Sequence, residues 1–280
     1  MVLILGVTLG LSLAMAGAWV LQRAARNAGW VDVVWTFATG AGGVVYALAP
    51  TGDHMPAPRA LLAAVLVAIW SGRLGLHLAV RAAASAEDAR YAQFRQEWGR
   101  AFEPRLFIFL QIQAMASALL TLSVLVAARN PAPGPRVTDF AAATVLGVAI
   151  LGEGMADGQL RRFKTYPPNR HAICDVGLWS WSRHPNYFFE WLGWLAWPIM
   201  AIDLGGAWPW GWVALTGPAI MFFILRFASG VPPTEAAMTR SRGEAFARYQ
   251  ARVSVFFPMP PKRGPPKSGS APTTASGGAS

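Results

Sequence analysis

Along the chain, apolar runs of roughly twenty residues alternate with shorter polar stretches rich in arginine. A run of about twenty residues is what an α-helix needs to cross the hydrocarbon of a bilayer. Seven runs stand out: Val2–Leu21, Val31–Ala49, Ala60–Val80, Leu106–Ala128, Phe140–Met155, Tyr187–Ile202 and Ala207–Phe227. The fifth is short. The sixth and seventh are separated only by Asp203-Leu204-Gly205-Gly206, which suits a tight helical hairpin. The first carries Ala14-Met15-Ala16, loosely like a signal-peptidase site. It has no basic residue ahead of its apolar stretch and further spans follow, so it reads as a retained helix. The pattern predicts an all-α integral membrane protein with a single seven-helix domain over residues 1–258. Residues 259–280, mainly Pro, Gly, Ser, Thr and Ala, cannot bury a core and read as a disordered tail.

Composition agrees. Hydrophobic residues make up 54% of the chain and charged residues 14%, against about 25% charged in a soluble domain. Placement of charge then sets orientation. Nineteen Lys and Arg fall in the segments after spans one, three, five and seven. Three, Arg59, Arg129 and Arg136, fall on the other side. The positive-inside rule puts the N-terminus outside and the C-terminus in the cytoplasm. The net charge of +10 is explained by this bias. No separate soluble basic domain exists, so nucleic acid is not expected as a partner, whereas membrane lipid is. Tryptophans near the span ends, Trp30, Trp98, Trp179, Trp181, Trp208 and Trp210, fit interfacial anchoring. The lone cysteine, Cys174, excludes an intrachain disulfide and a multi-cysteine metal site, and no His/Cys array with zinc spacing occurs. Nothing in the pattern sets an oligomeric state.

Polar side chains inside spans are costly and point to function. Asp32 opens span two. Arg73 and His77 lie four residues apart in span three. Glu153, Asp157 and Arg161 repeat that spacing at the end of span five, and Asn186 and Glu190 at the start of span six. All lie toward the basic side, which predicts a polar cavity open to the cytoplasm. Arg161 and Lys164, one turn apart, could grip one anionic group. Arg183 and His184 precede Pro185, whose position fits the first turn of a helix, so free backbone N–H groups there favour a phosphate or carboxylate. Residues 230–258 predict a short amphipathic interfacial helix.

Several of these residues carry a resemblance. Gly177-Leu-Trp-x4-His-Pro-Asn-Tyr-x2-Glu190, Asp157-x3-Arg161-x2-Lys164, and the closing Arg-x-Glu-Ala-x3-Tyr-x8-Pro resemble the C-terminal domain of the steroid 5α-reductase family, with Glu87-Asp-Ala-Arg-Tyr91 and Trp70-x2-Arg73 resembling its bacterial membrane branch. The resemblance covers about residues 30–260. It implies a seven-helix fold in a bacterial inner membrane, NADPH in a cytoplasm-facing cavity, and a lipophilic, steroid-like enone as substrate. By that analogy Asn186 contacts the nicotinamide end with Glu190 in support. Arg73, Arg90, Tyr91, Asp157, Arg161, Lys164, Arg170, Arg183, His184, Tyr187 and Tyr249 serve the cofactor. The family's carbonyl-binding pair is an acid on span two and a tyrosine on span three. Asp32 falls near the acid, as a neutral hydrogen-bond donor, and Trp70 stands where the tyrosine is expected.

Two other readings stay open. The Arg-His-Pro-x-Tyr element also recurs in isoprenylcysteine carboxyl methyltransferases, which use S-adenosylmethionine. A non-catalytic sterol-binding membrane protein is the third.

Overall fold

The computed structural model describes residues 1–50, 57–84, 88–169 and 172–262. Their regular structure is helical, with no strand among them. The helices are α1 (Val2–Ala25), α2 (Trp30–Leu48), α3 (Pro58–Ala84), α4 (Ala89–Trp98), α5 (Phe102–Ala128), α6 (Val137–Thr165), α7 (Pro185–Trp194), α8 (Ala196–Ala201), α9 (Thr216–Phe223) and α10 (Val231–Arg252). Six helical stretches are long and apolar enough to cross a membrane: Val2–Ala25, Trp30–Leu48, Pro58–Ala84, Arg90–Ala128, Val137–Thr165 and Pro209–Arg252. Exposed Leu, Val, Ile and Phe side chains stud their outer faces, as expected where lipid is the solvent. This is a multi-pass membrane protein.

The region expected to form span six differs. It is two short helices, α7 and α8, meeting at Leu195. The seventh is also segmented, running from a 3₁₀ turn over Pro209–Leu215 through α9 into a π-helical turn over Ile224–Ala228. The fifth, expected to be short, is the 29-residue α6. It continues past Met155 as one rod, so Glu153, Asp157 and Arg161 share a helix. The basic stretch after span three contains α4, whose start is set by Asp88: its side chain accepts the Arg90 backbone N–H, satisfying an otherwise unpaired helix-terminal donor.

Helix α2 sits at the centre, packed on α1, α3 and α5, while α6 packs on α7 and α8. Close approach explains these pairings. A Cβ at Gly40 of α2 would collide with Ser71 of α3, and one at Gly152 of α6 with the Phe189 ring of α7. Only hydrogen fits there, and small residues let helix backbones meet where lipid provides no hydrophobic drive.

One end of the bundle is fastened by buried charge. Arg59, 3% exposed, pairs with fully buried Asp139 at 2.9 Å and donates to the carbonyls of Asn130, Ala132 and Gly134. Arg129 donates to the carbonyls of Tyr46 and Ala49, and Arg136 to that of Met200. All three arginines of the sparsely charged side thus tie helix ends together. The tail does not start where composition suggested. Met259 N–H donates to Trp181 O and Lys262 N–H to Arg252 O, each at 2.9 Å. Residues 263–280 lie outside the described residues.

Removing one member of a buried ion pair strands the other. Arg59→Ala is expected to cost about 3–5 kcal/mol of stability, read as a large drop in melting temperature in detergent. Val65→Ala on the exposed face of α3 should barely move it, and equal behaviour of the two would contradict the role given to Arg59.

Candidate functional site

The opposite end, where α2, α5 and α7 begin and α3 and α6 finish, holds a cavity of about 610 Å³. Its polar wall is organised by Arg73 of α3. Nη1 lies 2.6 Å from Glu153 and Nη2 3.1 Å from Asp157, both on α6. The four-residue spacing of the two acids puts them on one helix face, where a single guanidinium reaches both. His77, one turn beyond Arg73, sits 3.5 Å from Asp157. Helix α7 joins through Asn186, whose Nδ2 donates to Asp157 Oδ1 at 3.4 Å. A carboxylate only accepts, so this contact fixes the amide's orientation and leaves Oδ1 as the outward atom. That oxygen is buried with no hydrogen-bond partner among the described residues. Asp32, Asp157, Asn186, Glu190 and Tyr187 all line this one cavity.

A second chain of charge joins α3, α4 and α2. Arg81 donates to Asp88 at 2.8 Å, Asp88 accepts Arg90 Nε at 3.0 Å, and Arg90 Nη2 pairs with Asp32. For Asp88, burial raises the carboxyl pKa, but the flanking Arg90 and Arg81 more than offset this and hold it below its ordinary value. Tyr91, 2% exposed, donates its hydroxyl to Asp32 Oδ1 at 3.0 Å. One expectation changes here. Asp32 lies against a guanidinium and a phenol, both of which donate to it. The aromatic partner of that acid is Tyr91 of α4, while Trp70 turns away and gives its indole N–H to Glu190.

The deeper cavity wall is apolar, formed by Leu74, Leu78, Met221, Ile224 and Leu225. The last two belong to the π-helical turn, a local distortion that recurs at functional sites.

Arg183, His184 and Tyr249, expected to serve the cofactor, line the same cavity and also make contacts within the protein. Arg183 is bound to Glu235 at 2.7 Å and to the carbonyls of Val253 and Gln250 at 2.7 and 3.3 Å. His184 lies 3.1 Å from the same Glu235 oxygen and stacks on Tyr187 at 5.2 Å. Burial lowers the imidazole pKa although Glu235 pulls it up; the Glu235 carboxylate only accepts, so His184 Nε2–H donates to it. Tyr249 donates to Trp179 O at 2.5 Å. These contacts latch residues 253–259 and α10 against residues 179–184, and α10 itself lines the cavity. Lys164 lines the cavity, but Arg161 is exposed and does not, so the two do not converge. Arg170, like Glu87, lies outside the described residues. Cys174 is buried in the cavity wall, and burial pushes its thiol pKa up, which keeps it unreactive.

Sequence reasoning missed Asp88, Glu235 and the pairing of Trp70 with Glu190. Asp88 had a readable signal as an N-cap. Glu235 and Trp70 had none, because their partners lie 51 and 120 residues away.

Fold and cavity together define a multi-pass helical membrane protein with a half-polar, half-apolar pocket at one end. The chain belongs to the family described as protein of unknown function DUF1295, which matches residues 18–253. It is 25% identical over 271 residues to uncharacterized protein C594.04c of Schizosaccharomyces pombe, covering 86% of this chain and 75% of that one. No solved structure matches.

The latch makes a local prediction. In Arg183→Ala the Met259 amide should exchange its hydrogen at least about tenfold faster, since local opening governs protection, while core amides of α5 stay slow. Unchanged protection at Met259 would show that Arg183 does not hold this segment.

Proposed function

We propose that this protein is an NADPH-dependent reductase of the C=C bond of a lipophilic enone, of the 3-oxo-Δ4-steroid type, in a bacterial inner membrane. The observation that carries this reading is Asn186 Oδ1, a buried acceptor without a donor in the polar wall, oriented by Asp157. An unpaired buried carbonyl oxygen is costly, and the carboxamide N–H of a nicotinamide is a donor of the right chemistry. At the mouth, Lys164, Arg81 and Arg242 line the same cavity and suit phosphate groups. Asn186 and Glu190 would hold the nicotinamide end, and Lys164 the phosphates. Bound there, NADPH supplies a hydride. The apolar half suits a flat hydrocarbon substrate.

The chain's own contribution is charge placement. Arg90 uses Nε on Asp88 and Nη2 on Asp32, and no hydrogen bond from Nη1 occurs among the described residues. Arg90 lines the cavity, and its free Nη1 would stabilise charge developing on the substrate carbonyl oxygen. Asp32, steadied by Tyr91, keeps the guanidinium in place.

We further propose seven crossings. α7 and α8 form one broken crossing, the N-terminus is outside and the C-terminus cytoplasmic, with the cavity mouth on the basic, cytoplasmic side. A methyltransferase using S-adenosylmethionine is the competing reading. It draws on one observation, the excess of carboxylates beside Arg73, which suits a sulfonium cation.

NADPH consumption with a progesterone-like enone in proteoliposomes tests the reading. Asp32→Asn should lower kcat by about a hundredfold, the cost of losing an oriented oxyanion donor, with NADPH affinity nearly unchanged. Equal losses in rate and affinity, or no enone-dependent oxidation in the wild type, would contradict it.

A further inference from the structure

Glu190 is 8% exposed and lines the cavity. Its oxygens receive Trp70 Nε1 at 3.1 and 3.0 Å, and Oε1 also receives Trp194 Nε1 at 3.0 Å. The two indoles meet edge to face with centroids 5.2 Å apart, so each fixes the other's plane. Glu190 thus makes the contacts of a carboxylate on both oxygens, yet both donors are neutral. They satisfy lone pairs and cancel no charge. No cation lies within ion-pair distance of it among the described residues. The nearby guanidinium, Arg73, is already shared between Glu153 and Asp157. Three acids therefore share this wall with one arginine and His77, and the arginine pairs with the other two acids rather than with Glu190.

Glu190 also lies one helical turn beyond Asn186 on α7, so both project to the same side. In the reductase reading, on which this inference rests, Asn186 takes the carboxamide of the nicotinamide. Glu190, on the same side of α7, would then be the acid nearest the ring end. A reduced nicotinamide ring is neutral and an oxidised one carries a positive charge. A fixed, desolvated anion at that place stabilises positive charge as it develops and needs no reorganisation to do so.

We infer that Trp70 and Trp194 are positioning residues that hold Glu190 as a fixed counter-charge to the cationic ring, so that the site favours the oxidised over the reduced dinucleotide. This gives the departure at Trp70 a purpose: an indole N–H does not ionise at accessible pH and can only donate, which suits an anion that must stay in place.

The test is binding, not turnover. Dissociation constants of NADPH and NADP⁺ are measured calorimetrically on the full-length protein in detergent, for wild type, Glu190→Gln and Trp70→Phe. Glu190→Gln should weaken NADP⁺ relative to NADPH by about tenfold, the scale of one charge–charge interaction in a partly screened site. Trp70→Phe preserves the ring against Trp194 and should shift the ratio the same way by less. Structural damage would weaken both dinucleotides together and leave the ratio alone. An unchanged ratio in Glu190→Gln, with both dinucleotides bound, overturns the inference and leaves the reductase reading intact. If the wild type binds neither dinucleotide, the reductase reading and the nicotinamide assignment both fall. If it instead binds S-adenosylmethionine over S-adenosylhomocysteine, and Glu190→Gln abolishes that preference, the counter-charge role stands with a sulfonium as its cation.

Discussion

Charge buried within a bilayer must be compensated by the protein itself, and here one guanidinium does most of that work at the functional end. Arg73 reaches both Glu153 and Asp157. This fixes α3 against α6, and Asp157 then recruits Asn186 from α7. Without Arg73 the two acids would repel each other in a poorly solvating medium, and the polar wall would have no fixed shape. The cavity exists because three helices are cross-tied at one level and diverge beyond it into apolar side chains.

The two ends of the bundle use similar chemistry for different ends. Arg59 and Asp139 are closed off from solvent, with every arginine nitrogen bonded to protein. Such a pair is a fastener. The cavity end keeps unpaired atoms, Asn186 Oδ1 foremost, and an anion, Glu190, supported only by neutral donors. Helix α10 covers this end through the Glu235 hub, which gathers Arg183, His184 and Gln250. Binding atoms are left open and the covering elements are satisfied, which is the division expected between a site and its support.

Much of this was legible in the chain, and the reason is locality. Apolar runs report helices because each residue's environment repeats every turn, so the long spans and the Arg73, Glu153–Asp157 and Asn186–Glu190 faces could be read directly. A helix over the Arg-x-Glu-Ala-x3-Tyr pattern was also legible, and that pattern lies in α10. What failed was tertiary. That Arg183 of the cavity wall also pairs with Glu235, 52 residues on, has no local signal. Whether Trp70 or Tyr91 meets Asp32 depends on how α4 folds back, which no periodicity encodes. The break between α7 and α8 was hidden because Trp194, Leu195 and Ala196 continue an apolar run. Hydropathy reports the solvent of a segment, not its backbone continuity.

The central claim is that the Arg73–Asp157–Asn186 wall receives a nicotinamide dinucleotide. Trp35 and Trp179 line the cavity, so a bound reduced nicotinamide would take energy from them and emit. Titration of the detergent-purified protein with NADPH, exciting tryptophan and recording nicotinamide emission, reads this directly. The account predicts saturable sensitised emission in the wild type that is lost in Asn186→Leu. No sensitised emission in the wild type, or the same signal in both proteins, would contradict it.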